Sequence, residues 1–316
     1  MAGGNVSSVE ARSAVRQALT PEAVAKLGTM ELRARAIVEG HLSGQHASTH
    51  RGASVEFVDH REYAPGDEPR HIDWKVYGRT DRLFVKEYEA ETNLSLHLLV
   101  DVSRSMDFAS GGVTKLRYAT FLAAALAYIA TRQRDAVGLF LFDHAVRQAL
   151  PAMTKPAHLA RLFEALEAAA GAADTRLTSA LEEIAQRIPR RALVVLLSDL
   201  LDGPEGVLRS LGYFRHRGHD LIVLHTLDPA ELNLDYRGTV AFEDLESTER
   251  LSVEVSDVRA GYLAELRRFL AAYRHGCRDR SIDYALTDTS TPFDVAISAY
   301  LAHRRGVVAK RRVGGR

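Results

Sequence analysis

The 316-residue chain contains a single cysteine, no long apolar run and no excess of charge of either sign. The lone thiol, Cys277, cannot form a disulfide within the chain, and such sparse use of cysteine is typical of a reducing compartment. It lies in a predicted helix, where we expect a buried and inert side chain. No stretch approaches the roughly 18 apolar residues that a membrane-spanning helix requires, and the start lacks a signal-peptide pattern. These absences predict a soluble, cytoplasmic protein without a membrane span.

Further absences narrow the classes of function. Lysine and arginine number 41 together, as do aspartate and glutamate, so no overall field attracts nucleic acid or an anionic membrane. The chain also has neither a Gly-x-x-x-x-Gly-Lys-Ser/Thr phosphate loop nor a Gly-x-Ser-x-Gly nucleophile elbow. Its apolar content of 46% is sufficient for a substantial core. We therefore expect a folded protein without a nucleic-acid partner.

The arrangement of apolar runs predicts the fold. From residue 94 onwards, short apolar strands alternate with helix-like segments, which is typical of an α/β protein with a doubly wound, mainly parallel sheet. The residues before it combine a helix with a strand-like texture that predicts a small β-rich subdomain. The resulting division is a disordered tail, the N-terminal subdomain, the sheet domain and a basic tail, at residues 1–20, 21–93, 94–304 and 305–316.

Local patterns add three expectations. Apolar residues recur at near-helical spacing from Pro21 to Glu39, which predicts one helix there. Residues 238–255 alternate around a polar middle, which predicts a β-hairpin. Asp257 is predicted to cap the amphipathic helix that follows the hairpin.

The end of the first strand of the sheet carries the clearest functional signal. An apolar run from Leu98 to Val100 stops at Asp101, and Ser103 and Ser105 follow in the same short loop. Ligands of parallel sheets bind just beyond the carboxyl ends of the strands, and Mg²⁺ accepts carboxylate and hydroxyl oxygens as ligands. The same residue types also cap helices and turns, so this motif alone leaves a purely structural role equally open.

Two later stretches favour the ligand interpretation. The apolar run from Ala192 to Leu197 again leads to a carboxylate, Asp199. Between the two strands, residues 174–181 open a helical pattern that begins with an aspartate and Thr175. Three junctions between strands and helices can therefore converge on one point at the carboxyl edge of the sheet.

These motifs resemble the von Willebrand factor A domain, a Rossmann-type sheet with a metal-ion-dependent adhesion site. In that family a first-loop Asp-x-Ser-x-Ser, a second-loop Thr and a third-loop Asp hold one Mg²⁺. Thr175 is chosen over Thr178 because it keeps the family's spacing to Ala180-Leu181, although Asp174 stands where the family usually has glycine. The resemblance implies a site for Mg²⁺ or Mn²⁺ made by Asp101, Ser103, Ser105, Thr175 and Asp199.

A second set of motifs precedes the sheet domain. Its fixed polar positions are Arg51-Gly52, Glu56-Phe57, Arg61-Glu62-Tyr63, Pro65-Gly66-Asp67, Arg70, Ile72-Asp73-Trp74 and Arg79. This run is similar to the signature of a bacterial family catalogued as a domain of unknown function, whose members place it before an A-like domain. The likeness extends from about Leu32 to the last helix. It implies partnership with MoxR-type AAA+ ATPases and no established catalytic activity.

The charged residues of this second set have two possible roles. They are predicted to form ion pairs that fix the β-rich segment to the sheet domain, because buried charges must be paired. The alternative is a surface that docks a partner or binds an anion. We expect Trp74 to be an anchor whose ring is buried in that interface. The residues of the predicted network are Arg51, Glu56, Arg61, Asp67, Arg70, Asp73, Trp74 and Arg79.

The leading hypothesis is a non-enzymatic, metal-dependent protein-interaction module that acts as adaptor or regulator of a MoxR-type AAA+ ATPase. As in the A-domain family, the Mg²⁺ would keep an open coordination position for a carboxylate of the partner. One alternative is a Mg²⁺-dependent phosphohydrolase, although the first strand lacks an Asp-x-Asp pair because Ser103 occupies the second position. The other alternative is a metal-free structural scaffold, against which the presence of all five ligand types argues.

Overall fold

A six-stranded sheet lies at the centre of the chain in the computed structural model, which describes residues 20–46, 60–63, 74–86, 94–171, 177–189, 191–243, 250–294 and 296–303. The strands in chain order are β1 (His60–Glu62), β2 (Phe84–Lys86), β3 (Ser95–Asp101), β4 (Ala136–Phe142), β5 (Val146–Met153), β6 (Leu193–Ser198), β7 (Asp220–Leu227), β8 (Thr239–Glu243), β9 (Arg250–Glu254) and β10 (Asp283–Asp288). The central sheet has the spatial order β10-β7-β6-β3-β4-β5. Its strands are parallel except β5, which runs antiparallel to β4 at one edge. The predicted doubly wound, mainly parallel sheet is confirmed.

Helices cover both faces of this sheet. They are α1 (Pro21–Ala25), α2 (Met30–His46), α3 (Trp74–Thr80), α4 (Lys115–Arg132), α5 (Pro156–Glu167), α6 (Leu177–Arg187), α7 (Pro204–His216), α8 (Pro229–Asn233), α9 (Val255–Asp279) and α10 (296–303). Successive residues of a strand point to opposite faces. Accordingly, Leu98 and Val100 pack in a core with α2, α4 and α5, whereas Leu99 packs in a second core with α6, α7 and α9. The strands are apolar on both faces because both are covered.

The crossover from β3 to β4 sets the position of helix α4. A parallel neighbour requires a long return connection, and α4 provides it between β3 and β4. Thr114 caps its start, since the Thr114 hydroxyl accepts a hydrogen bond of 3.2 Å from the backbone N–H of Arg117. The helix is apolar nearly all round and almost wholly buried. Its first turn therefore lies at the carboxyl edge of the sheet, close to the end of β3.

The N-terminal helical region differs from the prediction. A single helix was expected from Pro21 to Glu39, but the chain forms α1 and α2 with a turn between them. Thr29 begins the second helix, because its hydroxyl accepts a hydrogen bond of 3.2 Å from the N–H of Leu32. The capping threonine thus interrupts a periodic apolar pattern that otherwise continues across the turn.

The segment before the sheet domain is described only in part. Strands β1 and β2 pair antiparallel, and α3 lies between them in the chain. Trp74 begins this helix with 62% of its surface exposed and makes an edge-on contact with Tyr77 at 6.1 Å. The expected burial of the Trp74 ring is therefore wrong in the isolated chain.

The predicted charged network of this segment stays a prediction. Arg79 is exposed in the last turn of α3, and Arg61 lies in β1. The other charged members lie outside the described residues: Arg51, Glu56, Asp67, Arg70 and Asp73.

The C-terminal half confirms the expected hairpin and corrects one cap. Strands β8 and β9 form an antiparallel hairpin. Helix α9 begins at Val255 with Glu254 at the N-cap, so Asp257 lies in the first turn and is not the cap. Cys277 is buried in this helix, where burial raises the pKa of its thiol to about 11. Among the described helices, none has the length and apolar character needed to cross a membrane.

Candidate functional site

Asp101 ends strand β3 in a fully buried position. Its Oδ1 accepts a hydrogen bond of 2.9 Å from the backbone N–H of Ser103, which closes a tight turn after the strand. A short 3-10 helix follows at Arg104–Asp107 and brings Ser105 back towards the strand end. The hydroxyls of Ser103 and Ser105 lie 3.1 Å apart, and both side chains are buried. One carboxylate and two hydroxyls thus occupy the same loop, as predicted.

The end of β6 meets this loop. The Ser198 hydroxyl donates a 2.6 Å hydrogen bond to Oδ2 of Asp101 across the boundary between the two parallel strands. Asp199 follows and is also fully buried. Leu200 then adopts a left-handed backbone with φ of 53°, and its N–H donates to the Ser198 hydroxyl at 2.9 Å. The first and third predicted junctions therefore converge on one point. Thr175, predicted for the second junction, lies outside the described residues.

Lys115 is the functional residue that the sequence analysis missed. It is the first residue of α4 and has no exposed surface. Its Nζ donates to Oδ2 of Asp199 at 2.8 Å and to Oε1 of Glu231 at 2.5 Å. The signal that could have revealed it is a lysine at the start of an otherwise apolar helix, because a buried ammonium requires anionic partners.

Glu231 is held in place by helix α8. Its second oxygen, Oε2, accepts a 2.8 Å hydrogen bond from the N–H of Asp228, and Asp228 Oδ1 accepts one from Ala230. This reciprocal arrangement is a capping box. Asp228 also accepts a 3.0 Å hydrogen bond from the N–H of Ser110, which ties the loop after β3 to α8. The carboxylate that supports Lys115 is therefore fixed at both oxygens.

The side chains of His225 and Tyr273 contact backbone carbonyls of the loop that begins at Asp199. His225 Nε2 lies 2.8 Å from the carbonyl oxygen of Asp199, and its Nδ1 lies 2.8 Å from the Tyr284 hydroxyl. Because a carbonyl can only accept, Nε2 carries the proton and Nδ1 accepts from the tyrosine. Burial lowers the pKa of His225 to about 4, so the ring is neutral near pH 7. Tyr273 donates to the carbonyl of Leu200 at 3.1 Å.

The electrostatics of the cluster are dominated by burial. Burial and the neighbouring Asp199 carboxylate raise the pKa of Asp101 to about 7, against the lowering effect of the bonds from Ser198 and Ser103. Burial opposes protonation of Lys115, yet its two carboxylate partners raise the pKa of the ammonium above its ordinary value. Burial also raises the pKa of Glu231. Asp228, which caps α8 beside Glu231, is a fourth carboxyl group in this network, so the acidic groups outnumber the ammonium of Lys115.

The donors fit a hard divalent cation. Asp101, Ser103 and Ser105 offer carboxylate and hydroxyl oxygens, and each Asp101 oxygen keeps a lone pair beyond its present hydrogen bond. Such oxygens, with water filling the remaining positions, are the ligands that Mg²⁺ prefers. Asp199 is predicted to be a ligand of the ion, but its Oδ2 already contacts the Lys115 ammonium. No group of three or more His, Cys, Asp or Glu side chains arranged for a metal occurs within the described ranges.

The sequence matches a family whose model is described as "Protein of unknown function DUF58", over residues 59–271. The chain belongs to this family. It is 30% identical to the uncharacterized protein Rv1480 of Mycobacterium tuberculosis over 230 residues, which are 72% of each chain. The match covers β1 to α9 and includes both Asp101 and Asp199. The sequence resemblance to a domain-of-unknown-function family is therefore confirmed.

Among solved structures, the chain is similar to BatB from Bacteroides thetaiotaomicron, with a TM-score of 0.44 and 13% identity, covering 69% of this chain and 99% of that one. It is also similar to the SpRpn10 VWA domain, with a TM-score of 0.37 and 12% identity, covering 65% and 93%. The assignment of a doubly wound sheet rests on the strand order given above and not on these two similarities.

Proposed function

We propose that this chain is a non-enzymatic protein-interaction module that holds Mg²⁺ or Mn²⁺ at the carboxyl edge of its sheet. The observation that carries the proposal is the convergence of β3 and β6, which joins Asp101 to Ser198 and places two buried carboxylates in one cluster with unbalanced negative charge. Asp101, Ser103 and Ser105 would hold the ion, and the sequence resemblance adds Thr175 and Asp199. The bound ion would supply an electrophilic position for a carboxylate of a partner protein.

The surroundings of the site support binding rather than turnover. The Ser198 hydroxyl contacts the Asp101 carboxylate, but it is buried and also accepts the N–H of Leu200 at 2.9 Å. A nucleophile needs a mobile, accessible oxygen, whereas this one holds the backbone of the third loop. Both oxygens of Asp101 are likewise occupied by hydrogen bonds from the protein. These bonds hold the two loops in position for an ion.

The partner that we propose is a MoxR-type AAA+ ATPase, for which this chain would be an adaptor or regulator in the cytoplasm. This identity follows from the resemblance of the N-terminal signature and not from the geometry of the site. The geometry of the site supports only the chemical type of the contact, which is an acidic side chain on the partner. Exposed Leu201 lies directly after the third loop, with 48% of its surface accessible. An apolar neighbour of the partner's carboxylate would find a complementary surface there.

The proposal is tested by association of the purified chain with a candidate MoxR-type ATPase, measured by sedimentation or light scattering. Because the ATPase itself uses Mg²⁺, variants rather than a chelator carry the comparison. Asp101→Asn keeps the shape of the site and removes its charge, so we expect association to weaken about tenfold or more. Asp143→Asn is the matched control, since Asp143 is a buried aspartate at the end of the neighbouring strand.

Equal association of the wild type and Asp101→Asn would place the contact elsewhere and contradict the proposed mechanism. A parallel assay with a simple phosphoester tests the non-enzymatic assignment. Hydrolysis by the wild type that requires a divalent ion and is lost in Asp101→Asn would replace the interaction module with a phosphohydrolase.

A further inference from the structure

Lys115 places a fixed positive charge against Asp199, one of the residues that the A-domain resemblance assigns to the ion. The ammonium is fully buried and contacts groups from three separate parts of the chain. It donates to Asp199 in the third loop and to Glu231 in α8, and it lies over the ring of Phe108 at 5.8 Å. The charge is thus built into the site and does not come from a surface side chain that folds in occasionally.

The Lys115 ammonium already contacts one of the two Asp199 oxygens with which a metal ion could form a direct bond. Nζ lies 2.8 Å from Oδ2, so an ion bound to the same oxygen would stand next to a positive charge in a water-poor environment, where repulsion is strong. The other oxygen, Oδ1, faces the backbone N–H of Leu201 at 3.4 Å. Direct ligation by Asp199 is therefore opposed mainly by the positive charge beside Oδ2, since the 3.4 Å contact of Oδ1 is weak.

Lys115 cannot easily leave this position. Its second partner, Glu231, is held through its other oxygen by the N-terminus of α8. The lysine backbone is held in the first turn of α4, which Thr114 caps. Moving the ammonium out would leave Asp199 and Glu231 as unpaired buried carboxylates, which is costly. The ion pair is therefore a permanent part of the site.

We propose that Lys115 is a resident counter-cation that keeps Asp199 from ligating the divalent ion directly and thereby weakens and tunes ion binding. This inference rests on the proposed metal site and specifies how that site works. The ion is held by Asp101 and the two serines, while Asp199 acts through water and through its charge. The wild-type fold remains stable without metal because the lysine already balances part of the negative charge.

The test is a calorimetric titration of Mn²⁺ into the wild type and Lys115→Met, with thermal unfolding measured with and without the ion. Methionine keeps the length and burial of the side chain but removes its charge. We expect the variant to bind Mn²⁺ about tenfold more tightly or better, because Asp199 becomes a free ligand and the repulsion disappears. Without metal its melting temperature should fall below that of the wild type, and Mn²⁺ should restore it.

A double variant separates direct ligation from a general effect of charge and also serves if Lys115→Met alone does not fold. Lys115→Met/Glu231→Gln removes one positive and one negative group, so the net charge of the cluster is that of the wild type. We expect it to bind Mn²⁺ more tightly than the wild type, because Oδ2 of Asp199 is free. Affinity equal to the wild type in the double variant would contradict the proposed blocking of Asp199.

The outcomes distinguish this inference from the proposed function. If the wild type binds Mn²⁺ and the lysine variants bind no more tightly, the inference is overturned and the metal site stands. If only the lysine variants bind, Lys115 excludes the ion altogether, which supports the inference and overturns metal-dependent binding by the wild type. If no protein binds, both are overturned.

Discussion

Asp101 ends strand β3, and Asp143 directly follows the neighbouring strand β4. Both aspartates are fully buried. Asp143 has a cation of its own, since Arg147 Nε lies 2.5 Å from Oδ2, and the N–H of Ala145 donates to Oδ1 at 3.0 Å. Among the described residues, Asp101 accepts hydrogen bonds from neutral donors, and the Asp199 carboxylate raises its pKa by repulsion.

This difference shows that a buried carboxylate at a strand end is not by itself a site. Asp143 completes a tight turn before β5, and its charge is balanced within four residues of the chain. Asp101 stands in a cluster where the one lysine serves Asp199 and Glu231. Within the described residues, Asp101 differs from Asp143 in having no arginine partner and in sharing its loop with the hydroxyls of Ser103 and Ser105.

The largest effect on folding is expected from Ser198→Ala, which removes the bond that joins β6 to Asp101. The change leaves both an Asp101 oxygen and the N–H of Leu200 without their partner in a buried environment. We expect the free energy of unfolding to fall by about 3 kcal/mol. Ser210→Ala is the matched control, because that buried hydroxyl makes only long contacts of 3.3 to 3.5 Å. Chemical denaturation should show a loss of below about 1 kcal/mol in the control.

If both serine variants lose the same stability, the Ser198 bond has no special role in bringing the two loops together. The comparison of Asp101 with Asp143 would then lose one of its contacts, although β3 and β6 remain paired through their backbones.

His97 is a buried titratable group, and it tests how burial makes stability depend on pH. His97 lies on β3, below Asp101, and burial with a contribution from His219 lowers the pKa of His97 to about 4. The folded ring stays neutral while the unfolded ring takes up a proton below its ordinary pKa near 6.5. Stability is therefore complete above that pH and is lost as the pH falls towards 4. Between pH 7 and pH 5 the contribution of His97 should decrease by about 2 kcal/mol.

The measurement is the difference in unfolding free energy between the wild type and His97→Gln at several pH values. The glutamine variant should lose less stability on acidification. Parallel profiles for the wild type and His97→Gln would show that the His97 ring does not remain neutral in the folded core.

The smallest effect is expected from Arg147→Ala, which removes the cation that balances Asp143. Because the arginine side chain is 43% exposed, solvent already screens this pair, and we expect a loss of about 1 kcal/mol or less. The variant should not gain a second divalent-ion site, because Asp143 lacks neighbouring hydroxyl ligands of the kind that Ser103 and Ser105 provide. A second Mn²⁺ in calorimetry would mean that unbalanced charge alone is sufficient.

Particular residues show how far the sequence could predict the structure. Asp101 and Asp199 were recognisable because each follows an apolar run, and the ends of parallel strands meet at one edge. Lys115 was not, because its partners Asp199 and Glu231 lie 84 and 116 residues away in the chain. A lysine at the start of an apolar helix indicates that an anionic partner exists, but pairing over such distances does not reveal which residue it is. The meeting of Asp101 and Asp199 at one edge of the sheet was therefore predictable and the charges around them were not, while their role as ligands, with Thr175, stays a prediction.

In the N-terminal segment, the sequence predicted the family but not the burial of its side chains. Local motifs identified the family there, which the match over residues 59–271 confirms. They did not predict that Trp74 begins a helix with its ring exposed, because burial depends on what packs against a segment and not on its composition. The same applies to α1 and α2, where the turn before Thr29 divides a continuous apolar pattern.

The most direct test of the account is calorimetric titration of Mn²⁺ into the metal-free wild type, Asp101→Asn and Asp143→Asn. We predict one ion bound by the wild type and by Asp143→Asn with similar affinity, and a loss of about 100-fold or more in Asp101→Asn, because Asp101 shares its loop with two hydroxyl ligands whereas Asp143 is paired with Arg147. Equal binding by the wild type and Asp101→Asn, or no binding by any of the three proteins, would contradict the claim that this edge of the sheet is an ion site.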